Sequence, residues 1–306
     1  MNANLKEDSR RYCSVEASQE NAALVGTAVE VQYWLLVEYN RAWKPKALLD
    51  NDLGDLINTH LDELPREFAA LSGLKLRVQF VKQASSRIRK YPKILIARGI
   101  DHPSLFERQL VQPDDLLHLS CEQILDPVTA GFTPLQDSIV LVCTNGQRDV
   151  CCARFGLPVY ASLDADLGDR AWQTTHVGGH RYAPNILHLP SGLLHGFVSA
   201  EEAPEVVRAL DQGKLTLDRL RGRSALPPAS QAAEVFVNRD REQRANTYLT
   251  WLDQVELDQH THKVRFLDPH QQMVTVELRT SLSEPVLASC EGKAKPVKEF
   301  ELIAIE

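Results

Sequence analysis

The sequence predicts an α/β protein, and three observations carry that prediction. From Ser138 onward the periodic segments run strand, helix, polar interval, strand, strand, helix. Between residues 21 and 130, short runs of β-formers alternate with helical spacing. Beyond residue 260, apolar and polar residues alternate at a period of two, with turn residues between the runs,. The chain therefore divides into a polar lead-in (1–20), an N-terminal α/β domain (21–130), a second α/β domain (135–224) and a small β-rich C-terminal module (230–306). With 306 residues, 43% of them apolar, such cores form without covalent staples,.

Taken in order, Tyr33–Glu38 is a short apolar run with β-formers and reads as a buried strand. Leu53, Leu56, Ile57, Leu61 and Leu64 fall at helical spacing, with Asn51 or Asp52 as N-cap,. Leu76–Val81 and Lys93–Ala97 are further strands, and Lys82, Arg87, Arg89 and Lys90 form a basic run read as a solvated loop. Pro113–His118 suggests a short helix. In the second domain, Ile139–Cys143 is a strand, Asp149–Ala161 a helix, and Asn185–Leu189 and Leu193–Val198 a hairpin about Pro190-Ser-Gly192. Ser199 and Glu202 have the spacing of a capping box before a helix that stops at Gly213,. This order is the thioredoxin-like one. The first domain has a similar order, although no motif repeats. Leu226–Ser230 reads as a linker. Gln231–Arg239 is a short helix, Tyr248–Leu252 fits strand or helix, and His262–Leu267, Gln272–Leu278 and Phe300–Ile305 are strands.

Net charge −7 and pI near 5.8 disfavour a nucleic-acid partner,. No apolar run approaches the roughly 20 residues of a membrane span, and the start lacks the apolar core of a secretory signal,. The expectation is a cytoplasmic protein whose six cysteines are reduced, so that clustered Cys and His point to metal or redox chemistry,. The dense region is Ser138–Arg181. Cys143 ends a strand; Cys152 opens a helix, where the dipole and Arg148 and Arg154 favour thiolate. In His176-Val-Gly178-Gly179-His180 the paired glycines disfavour a helix, so both histidines sit on a loop,. Glycines there let backbone amides come close to a bound centre. Two Cys and two His suit zinc as well as a Rieske-type [2Fe–2S] centre. Satisfied core or surface residues, a structural-zinc scaffold or interaction protein, and a thiol oxidoreductase centred on Cys151 and Cys152 are the competing readings. No Cys-x-x-Cys is present, and a vicinal disulfide is strained,. Cys13, Cys121 and Cys290 are isolated in sequence and read as inert thiols. Asp149 reads as a helix cap. His188, His195, His260, His262 and His270 read as structural or surface residues.

Cys143-Thr-Asn-Gly-Gln-Arg-Asp-Val-Cys-Cys152-Ala-Arg-Phe-Gly156, followed by His176-Val-Gly-Gly-His-Arg181, resembles the sucrase/ferredoxin-like family. Cys13-Ser14, Gly26-Thr-Ala28, Trp34–Glu38, Trp43, Leu187–Gly196 and Asp218–Gly222 share the resemblance, which spans roughly residues 12–225. Asn145 stands where the family often has His. The resemblance implies a thioredoxin-like ferredoxin domain, with a [2Fe–2S] cluster held by Cys143, Cys152, His176 and His180 and with Arg148, Gly178, Gly179 and Arg181 around it. Cys151 is not assigned as a ligand. The implied role is one-electron transfer to or from a redox partner protein or reductase, coupled to protonation of a histidine ligand. That is a carrier rather than a stand-alone enzyme, and no paired-carboxylate glycosidase site is identifiable.

Overall fold

The computed structural model describes residues 11–100, 102–246 and 248–306; residues 1–10 of the expected lead-in lie outside the described residues. The chain opens with helix α1 (Cys13–Gln19), followed by β1 (Tyr33–Glu38), α2 (Asp55–Ser72), β2 (Leu76–Lys82), β3 (Lys93–Arg98), β4 (Ser104–Gln109), α3 (Cys121–Leu125) and β5 (Thr133–Leu135). It continues with β6 (Ile139–Cys143), α4 (Val150–Leu167), β7 (Ala171–Thr174), β8 (Ile186–Leu189), β9 (Leu193–His195), α5 (Ala203–Asp211) and β10 (Leu220–Arg223). All ten strands form one sheet in the order β10-β9-β8-β6-β7-β2-β1-β3-β4-β5. Its two halves have the same plan. In each, the first two strands are parallel across a helix and the next two add antiparallel beyond the first. The halves join where β2 meets β7 antiparallel, Val81 opposite Thr174, so the sheet continues across residue 130.

The C-terminal part contains α6 (Pro228–Asp240), β11 (Thr250–Glu256), β12 (Thr261–Leu267), β13 (Met273–Leu282), β14 (Val286–Leu287), β15 (Ala294–Lys295) and β16 (Lys298–Ile305). A separate four-stranded sheet runs β11-β12-β13-β16. Its inner face, Val264, Phe266, Val274, Val276 and Leu278, packs on Ala229, Ala233 and Val237 of α6. The alternation of β12 is what separates that face from solvent,. No helix among the described residues is long and apolar enough to cross a membrane.

Several local expectations need correction. The N-cap of α2 is Gly54, not Asn51 or Asp52. Asn51 instead accepts the Leu53 amide at 3.0 Å, a local turn that competes with capping, and Asp52 accepts the Tyr39 hydroxyl at 2.7 Å,. Residues 226–230 are not a linker. Pro228 opens α6, whose fixed φ suits a first helical position, and Leu226, Ala229 and Ser230 are buried,. Residues 13–19 of the expected lead-in are helical, with Cys13 and Ala17 in the interior. Arg89 is not solvated: it pairs with the buried Glu38. The reciprocal bonds of the expected capping box are present, with Ser199 N–H donating to Glu202 Oε2 (3.0 Å) and Glu202 N–H to Ser199 Oγ (3.2 Å), but they close the turn just before α5, whose N-cap is Glu202.

Asp211, the last residue of α5, ties three strands to that helix. It accepts from Ser138 Oγ at 2.6 Å, just before β6, and from Arg170 at 2.5 Å, just before β7. His188 Nε2 of β8 lies 3.3 Å away. Burial pushes its carboxyl up, but the bonds from His188, Arg170 and Ser138 outweigh burial and hold it well below its ordinary 3.8. Its stabilisation is therefore present above that pH and is lost as the pH falls further. Asp211→Asn is expected to cost about 1–2 kcal/mol at neutral pH, with the deficit shrinking below about pH 4. Urea denaturation at both pH values checks this, and an equal deficit at both would count against it.

Candidate metal centre

β6 is apolar throughout and buried along its whole length, as an internal strand should be,. Val140 and Val142 face α4 and α5, whereas Leu141 and Cys143 face the side shared with Trp34 and Trp172. Cys143 is thus the last core-facing side chain before the strand ends. The parallel neighbour β7 ends level with it, Thr174 opposite Cys143, and His176 follows two residues on. The return segment 144–149 leads into α4, with Cys152 in its first turn. Asp149 caps that turn through the Cys151 amide at 2.9 Å. Two carboxyl-terminal strand ends and a helix N-terminus therefore converge, where open α/β sheets gather ligands. Gly156 lets α4 lie this close, since a Cβ there would stand 2.3 Å from the Cys143 carbonyl oxygen.

The ligand atoms of Cys143, Cys152 and His176 all lie within 4.8 Å of one another. His180 falls outside that trio, but its Nδ1 is 3.5 Å from Cys152 Sγ. Its ring stacks on that of His176, with centroids 3.7 Å apart and planes at 16°. All four predicted ligands are thus brought together. Nδ1 of His176 is buried without a hydrogen-bond partner, which costs about 1–3 kcal/mol unless something bound takes it up,. These residues could hold a metal, and the soft thiolate and imidazole donors suit iron–sulfur or zinc.

The electrostatics fit that role. The hydrogen bond from the Cys152 thiol draws Cys143 well below the ordinary thiol range against burial, helped by His176 and the Val177 amide. The same bond, with burial, pushes Cys152 well above it. The two thiols are thus pushed in opposite directions, and a bound metal would displace their protons,. Burial first, then neighbouring His176, lowers His180 to about 4, so the ring is neutral and able to ligate,.

Sequence reasoning did not single out the groups that hold the histidine loop. The His176 carbonyl accepts from Arg77 Nη2 (2.6 Å) and Gln79 Nε2 (3.2 Å). The Gly179 carbonyl accepts from Asn185 Nδ2 (3.0 Å). Arg221, buried in β10, donates from Nη1 to the Gly178 carbonyl (2.9 Å) and to Asn185 Oδ1 (2.7 Å), and from Nε to Thr27 Oγ1 (3.1 Å). Gly178 and Gly179 have φ of +97° and +77°, and a Cβ on Gly179 would meet Arg221 Nη2 at 2.6 Å. Gly179 is thus what admits the guanidinium. The segments around Thr27 and Arg221 were visible in the sequence only as pieces of the resemblance, because nothing in their spacing links them to His176.

Among the neighbours expected from sequence, Arg148 lines a cavity of about 620 Å³ together with His180, Asp149 and Cys290. His176 lines a different cleft of about 590 Å³, with Arg77 and Asn145. Arg181 turns away to the C-terminal module, donating to the Lys295 carbonyl at 3.1 Å. His188 and His195 are structural, bonded to Ser191 and Thr216. Cys121 is a buried thiol in the core beneath α2. Cys13 and Cys290 are not isolated: the fold brings both against Cys151, whose sulfur joins a different group from that of Cys152. Chain separations of 138 and 139 residues hid that contact.

The sucrase/ferredoxin-like family model matches residues 24–222. Altered inheritance of mitochondria protein 32 of Meyerozyma guilliermondii is 32% identical over 99 residues, covering 29% of this chain and 35% of that protein. The protein of the same name in Clavispora lusitaniae is 29% identical over 106 residues, covering 30% of this chain and 37% of that protein. The chain therefore spans little more than a third of the length of these curated relatives. No solved structure matches. The family match takes in β1 through most of β10, including both cysteines, both histidines and the Arg221 anchor, and the chain belongs to the sucrase/ferredoxin-like family.

Proposed function

We propose that Cys143, Cys152, His176 and His180 hold a [2Fe–2S] cluster and that the protein is an electron carrier. The observation that carries this reading is the placement of four donors at the strand ends. The cluster, when bound, would supply a one-electron redox change. The order of β6, α4, β7, β8, β9 and α5 supports a thioredoxin-like ferredoxin unit over 135–224. A second reading, zinc on the same residues, is favoured by the compactness of the Cys143, Cys152 and His176 trio. The position of His180 outside it speaks for two metals rather than one.

The chain's own groups would then set the redox behaviour. Two neutral imidazoles in place of thiolates make the oxidised centre less negative and raise its potential relative to all-Cys ligation. His180 and His176 line two cavities that have Arg148 in common, which would give each histidine access to solvent. Reduction favours a proton on the outer imidazole nitrogen, so the potential falls as pH rises. The partner is a redox protein or reductase that reaches one of these cavities. We place the carrier in the cytoplasm. The name of the yeast relatives, which concerns inheritance of mitochondria, makes a mitochondrial compartment the competing location.

Anaerobic purification is expected to yield a coloured protein with about two irons and two sulfides per chain; a colourless protein with zinc alone would sink the cluster. With cluster present, the potential should fall by up to about 59 mV per pH unit. His176→Cys and His180→Cys should each lower the potential and flatten that slope. An unchanged potential in both would remove the histidines from the ligand set.

Arg221 gives a separate check. Arg221→Ala leaves Gly178 O and Asn185 Oδ1 without their donor and should cost at least about 3 kcal/mol. Arg221→Lys keeps the charge but loses the fork. It should therefore fold yet retain less iron on gel filtration, and undiminished iron in the lysine variant would show that the loop is held by other means.

A further inference from the structure

A second group of candidate ligands, three thiols and a carboxylate, takes no part in the first centre. Cys13 of α1, Cys151 in the first turn of α4, Cys290 between β14 and β15, and the cap residue Asp149 bring their ligand atoms within 4.8 Å of one another. The Sγ–Sγ separations are 3.7 Å (Cys13–Cys151), 3.1 Å (Cys151–Cys290) and 3.7 Å (Cys13–Cys290). Asp149 Oδ1 lies 3.8 Å from Cys13 Sγ and 3.1 Å from Cys290 Sγ. Three segments separated by more than 130 residues are thus focused on one point.

The dimensions decide which centre fits. A tetrahedral zinc with Zn–S of about 2.3 Å sets its thiolates about 3.8 Å apart. The two edges from Cys13 are at that length, and the 3.1 Å Cys151–Cys290 edge is shorter and would open on binding. A polynuclear iron–sulfur cluster binds its thiolates to different irons and needs a wider spread. Cys13 and Cys151 are buried, and three bare thiols with a carboxylate are a poor filling for an interior otherwise built of Tyr12, Phe155, Ala183 and Leu287,. The surroundings suit an anionic ligand set. The N-terminus of the 18-residue α4 points at it,, and the Cys290 amide donates to Asp149 Oδ2 at 2.9 Å. The Cys13 amide donates to Cys290 Sγ at 3.5 Å.

We propose that Cys13, Cys151, Cys290 and Asp149 bind one zinc ion. The ligation is complete without water, the mark of a structural rather than catalytic site. Binding releases the thiol protons to solvent, and no bond to carbon changes and no electron moves. The ion clasps α1 and the 288–293 loop of the C-terminal part to the helix that presents Cys152. It thereby fixes the wall of the cavity that His180 borders, where Ser289, Cys290 and Glu291 stand opposite Arg148.

The test is metal analysis of the full chain, purified anaerobically without chelator, with zinc, iron and sulfide read on the same sample. One zinc per chain is expected, and X-ray absorption at the zinc edge should show three sulfur neighbours and one oxygen. Cys13→Ser and Cys290→Ser should each lose that zinc while keeping the iron. Four results would overturn the site: no zinc uptake from added zinc salt, zinc with two sulfur and two nitrogen neighbours only, zinc retained in both variants, or four free thiols instead of six in the denatured, unreduced chain. The last would mean a disulfide such as Cys151–Cys290. The absorption and thiol measurements use the unmodified protein, so they hold even if a variant fails to fold. A chain with the three-sulfur zinc but no iron would overturn only the electron-carrier reading.

Discussion

One buried guanidinium holds the histidine loop in place. Arg221 stands at 2% exposure on β10, with burial lowering it to about 10. It remains charged at neutral pH and so needs acceptors on every side. The acceptors are the Gly178 carbonyl, Asn185 Oδ1 and Thr27, with the Tyr182 ring 4.6 Å away. The loop between His176 and His180 runs into a single 3-10 turn, in which the Tyr182 amide donates to the Gly179 carbonyl at 3.1 Å. Its shape is set by donors reaching into it, namely Arg77 and Gln79 at one end and Asn185 and Arg221 at the other. With the carbonyls engaged outward, the imidazoles are left facing the two cysteines. A glycine at 179 is the condition for this, because a Cβ would occupy the guanidinium's place.

The sheet supplies the rest of the framework. Joining two half-sheets through β2 and β7 places Gln79 and Phe80 of the first half against Thr174 and Thr175 of the second. The first half thus backs the histidine loop, and the second supplies both cysteines. β1 and β6 are buried on both faces: they share an interior of Trp34, Leu141, Cys143 and Trp172 on one side, while α2 covers the other face of β1 and α4 and α5 the other face of β6. The C-terminal part adds an outer wall through Arg181, Lys295 and Cys290.

Much of this was legible in the residues. The runs Tyr33–Glu38 and Ile139–Cys143, the capping box at Ser199 and Glu202, and the alternation of β12 and β13 are local signals, and they survive folding because neighbours in sequence make them. The four candidate ligands were also legible, because Cys143 and Cys152 flank one strand–helix turn and the histidines share one glycine loop. Two things were not. Leu226–Ser230 looked like a linker because Pro-Pro reads as a breaker, whereas Pro228 in fact starts a buried helix. Arg221 and the grouping of Cys13, Cys151 and Cys290 depend on contacts between residues far apart in the chain. No periodicity records such contacts.

The proposed redox centre requires both histidines as ligands beside the two cysteines. The most direct measurement is hyperfine spectroscopy of the reduced protein with nitrogen-15 incorporated in histidine alone. Two distinct, strongly coupled histidine nitrogens are expected, reduced to one in either His176→Cys or His180→Cys. A paramagnetic centre with no coupled histidine nitrogen, or one whose couplings survive in both variants, would contradict it.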